Sequence, residues 1–74
     1  MGATEAYEAE CWERLDELKL WLAEHGGGST LAAIYLPKRG EARGVAWCLA
    51  TLTGGANTIE DIHNMYDREG RRRA

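Results

Sequence analysis

Apolar residues recur every three or four positions from Tyr7 to Leu22. Tyr7, Cys11, Leu15, Leu18 and Leu22 fall on one stripe of a 3.6-residue helix. Thr4 is the expected N-cap, and Glu5 and Glu8 suit the positive end of the helix dipole. Glu10 and Arg14 stand i,i+4 in the favourable order. His25 and the glycines that follow end the pattern, because glycine takes the left-handed C-terminal conformation at little cost. Residues 26–30 read as a glycine-rich linker.

A second strong pattern lies near the end of the chain. Asn57 is the expected N-cap, with Glu60 placed for a capping box. Ile59, Ile62, His63 and Tyr66 share one face, and Gly70 is the expected stop. The arginines beyond it read as a frayed basic tail over residues 70–74.

The middle admits two readings. Val45, Cys48, Leu49 and Leu52 follow helical spacing, and Gly54 and Gly55 close the pattern. Leu31 to Leu36 and Val45 to Thr51 also fit the two strands of a hairpin. Ala42, Ala46 and Ala50 favour helix, since alanine is a strong helix former and a poor strand residue. Pro37 predicts a break or kink. The expected middle is a short helix after Ser29 or Thr30, an interruption near Pro37, and a helix from about Arg39 to Thr53. The fold class is therefore all-α: one domain over residues 1–74, with three helices and a kinked or broken middle helix. An α+β fold with a central β-hairpin is the alternative.

Size and charge narrow what such a domain can do. The chain has 74 residues, a net charge of −3, and 45% apolar against 28% charged residues. A chain this short buries only about 60% of its unfolded surface. Large enzyme scaffolds are excluded, while the composition is that of a folded protein. Charge is segregated: residues 1–25 carry seven acids and two bases, and residues 26–55 carry one acid and three bases. The acidic start lacks the charge pattern of a signal peptide, and Ala6 stands where a myristoylation motif needs Ser or Thr. The apolar run from Leu31 to Leu36 is too short to span a bilayer. A cytoplasmic protein without membrane attachment is expected, with Cys11 and Cys48 as buried or half-buried thiols and a bridge between them as the alternative.

Candidate chemistry is sparse. The run from His25 to Thr30 lacks the lysine of a P-loop and the GxSxG partner of an esterase oxyanion loop. Glu60 and His63 have the Glu-x-x-His spacing of helical di-metal sites, but the supporting inward carboxylates are missing. Cys11, Cys48, His25 and His63 are zinc-ligating types with no local pair to fix a site. No nucleophile–base pair can be assembled. The expectation is a non-enzymatic protein with no metal and no cofactor.

Large apolar groups outside the main stripes carry the functional reading. Trp12 and Leu20 lie off the stripe of the first helix, and Trp47 lies across from Val45, Leu49 and Leu52. Trp12, Leu20 and Trp47 are the candidate partner-binding surface, because tryptophan is enriched at interface hot spots. An unknown protein partner or a homo-oligomer, with a dimer favoured, would cover them, and the carboxylates of the first helix would steer the encounter. The alternative is a small DNA-binding regulator that uses Lys38, Arg39, Arg43, Arg71, Arg72 and Arg73, with two short helices imitating a helix-turn-helix.

The segment from Ala42 to Thr53, followed by Thr58-Ile59-Glu60-Asp61-Ile62, resembles small uncharacterised proteins of actinobacteria and their phages. The resemblance covers under half of the chain. It implies a phage-encoded accessory or host-modulating role, and transfers no functional residues.

Overall fold

The computed structural model describes residues 2–26 and 31–73, so most of the expected 26–30 linker and the expected helix start at Ser29 or Thr30 lie outside the described residues. The protein is all-α. Three helices follow in order: α1 over Ala3–His25, α2 over Ala32–Leu52 and α3 over Ile59–Asn64. Among the described residues the only β-pairing is one isolated bridge between Tyr66 and Arg72, so the central hairpin does not form.

The α1 stripe does what its spacing demands. Cys11, Leu15 and Leu18 are buried, Leu22 packs against the core, and Tyr7 at the start of the stripe stays exposed. From α2, Ala42, Ala46 and Leu49 complete the seam. Alanine at the contact lets the two helix backbones approach closely. Arg14 meets Glu41 and Trp21 meets Tyr35, so the two helices run antiparallel. Ile62 of α3 and Tyr66 just after it close the same core.

Four local expectations are corrected. First, α2 passes through Pro37 without a break. Proline removes the hydrogen bond to the carbonyl four residues back. Contacts on both sides of it hold the helix together: Tyr35 against Trp21 before Pro37, and Lys38 over Trp21 and Glu41 to Arg14 after it. Second, α1 starts at Ala3 with Gly2 as its N-cap and no side-chain cap bond, so Thr4 is an ordinary helical residue. At the other end Gly26 is the C-cap with φ −79°, and the glycines after it lie outside the described residues.

Third, the capping box of α3 sits one residue later than expected. Asp61 N–H donates to the Thr58 hydroxyl at 3.1 Å, and Thr58 N–H donates to the Asp61 carboxylate at 3.0 Å. Fourth, α3 ends at Asn64 rather than Gly70, and residues 70–73 are folded rather than frayed. The chain doubles back after α3. Asp67 Oδ1 accepts from the N–H groups of Glu69 and Arg71, and Arg73 N–H donates to the Met65 carbonyl at 2.7 Å. Gly70 makes the turn with φ +79° and is buried against the α1 backbone at Lys19 and Leu20, where a Cβ would collide. Only glycine satisfies both demands.

Candidate functional site

The doubled-back turn closes one side of an open pocket of about 530 Å³. Every element supplies a wall. Lys19, Leu22 and Ala23 come from α1; Tyr35, Arg39, Ala42 and Arg43 from α2; Ile59 and His63 from α3; and Tyr66, Asp67, Arg68 and Gly70 from the turn. The α2 residues are spaced by four, three and one, so Tyr35, Arg39, Ala42 and Arg43 project to one side of that helix. Leu22, Ala42 and Ile59 give an apolar floor, and the cations stand around it.

Positive charge dominates the lining. Lys19, Arg39, Arg43 and Arg68 face a single carboxylate, Asp67, which already accepts two backbone N–H groups. Those hydrogen bonds hold its carboxyl below the usual range, so it stays ionised. None of the four cations has a carboxylate within ion-pair distance among the described residues. Arg14, Arg71 and Arg72 elsewhere do have such partners. A concentration of unpaired positive charge in a concavity raises the local concentration of anions, even on a chain of net charge −3.

Two of the lining groups are in hydrogen-bond contact. Lys19 Nζ lies 2.8 Å from His63 Nδ1 and 5.3 Å from the centre of the Tyr66 ring. Burial pushes the Lys19 ammonium down from its ordinary value. Burial also pushes His63 down, and the nearby Lys19 and Arg43 charges add to that effect. The consistent arrangement is a neutral His63 whose Nδ1 accepts from the Lys19 ammonium, with the ring proton on Nε2. An anion entering the pocket would meet donors from Lys19, the arginines and the outer imidazole nitrogen, and would relieve their mutual repulsion.

The expected partner surface is not assembled as one exposed patch. Trp12 is half-buried, packs against the core and carries the Arg72 guanidinium 4.5 Å above its ring. Leu20 lies at the turn around Gly70 and is 41% exposed. Trp47 stands on α2, on the opposite side from buried Leu49, and is 60% exposed. The expected nucleic-acid set is also divided. Arg39 and Arg43 reach the pocket, while Lys38 lies over Trp21. Arg71 pairs with Glu69, Arg72 pairs with Asp16, and Arg73 is tied to Met65 through its backbone.

Lys19, His63 and Arg68 are the pocket residues that the basic-cluster reading missed. Lys19 carried a signal: it stands i+4 from Leu15 and i−3 from Leu22, a lone cation inside an apolar stripe. Cys11 and Cys48 are both free thiols, the first buried and the second half-buried. No group of His, Cys, Asp and Glu able to hold a metal occurs among the described residues, and no described helix is long and apolar enough to cross a membrane. Comparison with protein-family models, curated proteins and solved structures finds no match to the chain.

Proposed function

We propose that this chain is a non-enzymatic binding domain that captures a carboxylate- or phosphate-bearing group of its partner in the pocket. The observation that carries this reading is the convergence of Lys19, Arg39, Arg43 and Arg68 on one concavity without carboxylate partners. Charge-assisted hydrogen bonds to such cations contribute roughly 1.5–3 kcal/mol each. Arginine offers planar two-toothed recognition of either anion.

The apolar partner surface is retained in reduced form. Leu36 and Trp47 continue the Arg39–Arg43 line along α2 at spacings of three and four, and both are more than half exposed. A partner whose acidic group enters the pocket would rest on them, which gives Trp47 the anchoring role expected of an interface tryptophan.

Pyrophosphate is the probe for the pocket. Titration into ¹⁵N-labelled protein should give saturable shifts at residues around Lys19, Arg43 and His63. Arg39→Gln with Arg43→Gln should weaken binding at least ~tenfold, equivalent to about 1.4 kcal/mol. Unchanged binding by that variant would sink the proposal. A preference for duplex DNA over pyrophosphate and acidic peptides, with a steep salt slope carried by the same arginines, would replace it with the nucleic-acid reading.

A further inference from the structure

We infer that the partner is a second copy of this chain, which presents Glu10 and Glu13 of its α1 to the pocket, so that copies associate head to tail. This rests on the pocket being an anion site, and it adds the identity of the occupant.

The argument is one of complementary, unsatisfied charge. On α1 the carboxylates Glu5, Glu8, Glu10 and Glu13 follow one another with no base between them. None has an ion-pair partner among the described residues. Glu5 and Glu8, and again Glu10 and Glu13, stand i,i+3 and repel each other. The pocket holds the converse: cations that repel each other, outnumber the one carboxylate beside them and have no ion-pair partner among the described residues. Each cluster destabilises the isolated chain, and joining them relieves both.

Geometry selects the pair and requires another molecule. Glu10 and Glu13 are exposed and lie on the side of α1 away from the stripe of Cys11, Leu15 and Leu18. Lys19 belongs to that stripe side and lines the pocket. A rigid helix cannot turn its outer face into a pocket built on its inner face, so a chain cannot fill its own site. Glu10 and Glu13 are one turn apart, as Arg39 and Arg43 are on α2, so two carboxylates on one helix match two guanidiniums on another. The pocket volume accommodates a pair of side chains and leaves the donor helix on the rim, against Leu36 and Trp47.

Because the two surfaces differ, the contact is heterologous and each bound copy offers a further free surface. Its strength resides in charges at or near solvent, so salt weakens it.

Sedimentation velocity on the full chain, over a concentration series, provides the test. At low salt the average mass should rise above 8.2 kDa with concentration and return to it near 1 M salt, where the Debye length is ~3 Å. Two variants separate the surfaces: Glu10→Lys/Glu13→Lys keeps the pocket, and Arg39→Gln/Arg43→Gln keeps the acidic face without offering the new lysines an anionic site. Each alone should stay monomeric. Mixed in equal amounts, they should give a one-to-one complex that grows no further, since each supplies one intact half. Glu10→Gln/Glu13→Gln serves in place of the lysine variant if that variant fails to fold. Should the mixture stay monomeric, or either variant associate as the parent does, the second-copy inference is overturned. Pyrophosphate binding by Glu10→Lys/Glu13→Lys then shows whether the pocket reading survives alone. Loss of pyrophosphate binding in the parent chain overturns both.

Discussion

The two ends of the described chain are held in opposite ways. At the first turns of α1, Gly2 caps without a side-chain bond, and Tyr7 is 51% exposed. After α3, a stretch of similar length is tied down at nearly every residue. Tyr66 is buried and donates its hydroxyl to Asp16 at 2.6 Å. Gly70 presses on the α1 backbone, and Arg72 bridges Trp12 and Asp16. The N-terminal end has the better helical pattern and the C-terminal end has the better docking. Helical order can be local, whereas resistance to opening comes from buried contacts. Since the docked end also forms a wall of the pocket, stability and binding should fail together there and separately at the other end.

The largest expected effect is at Gly70. A valine there would need a positive φ and would push its Cβ into the Lys19 carbonyl and the Leu20 backbone, which cannot swing aside as a side-chain tip can. Gly70→Val should cost more than ~2 kcal/mol in urea denaturation or release the turn from α1. Pyrophosphate binding should fall with it. A loss below ~0.5 kcal/mol would mean that the turn is not docked, and the contrast between the ends would collapse.

Tyr66 sharpens the contrast at a smaller scale. Tyr66→Phe keeps the ring and deletes the bond to Asp16, so the expected loss is about 1–2 kcal/mol. The same residue gives a pH signature. Burial, then the hydrogen bond and charge of Asp16, push the phenol well above its ordinary value. On raising the pH the unfolded chain releases this proton first, so the folded state binds more protons above about pH 10. The Tyr66 contribution is therefore full below that pH and is lost as pH rises towards the folded value. Alkaline denaturation should be steeper for the parent chain than for Tyr66→Phe. Equal slopes would place the phenol in solvent.

What could be read in advance follows the same division between local and distant. The burial of Cys11, Leu15 and Leu18 is legible because one helix carries its own period. Ala42 and Ala46 identify α2 as helix for the same reason. Pro37 suggests a break that the helix does not make, because the contacts that hold α2 together through it come from Arg14 and Trp21 on another helix. The cap of α3 is misplaced by one residue, since Asn57 and Thr58 are both good caps and local preference does not choose between them. In the site, Arg39 and Arg43 are visible as a basic pair, whereas Lys19 with His63 and Tyr66 with Asp16 join positions 44 and 50 apart. Arginines after Gly70 have a disordered composition. Arg72 is held by Trp12 and Asp16, which no local window contains.

The smallest expected effect compares two threonines at helix starts. Thr58 completes a capping box and Thr4 caps nothing. Thr58→Ala should cost about 1 kcal/mol, the usual value of a lost side-chain cap. Thr4 is already inside α1, where alanine is the better helix former, so Thr4→Ala should change stability by less than ~0.5 kcal/mol and in the stabilising direction. Paired urea melts of the two variants resolve the difference. A Thr4→Ala loss equal to that of Thr58→Ala would show that the first turn of α1 holds a real cap, and that its end of the chain is anchored by its own residues although few of them are buried.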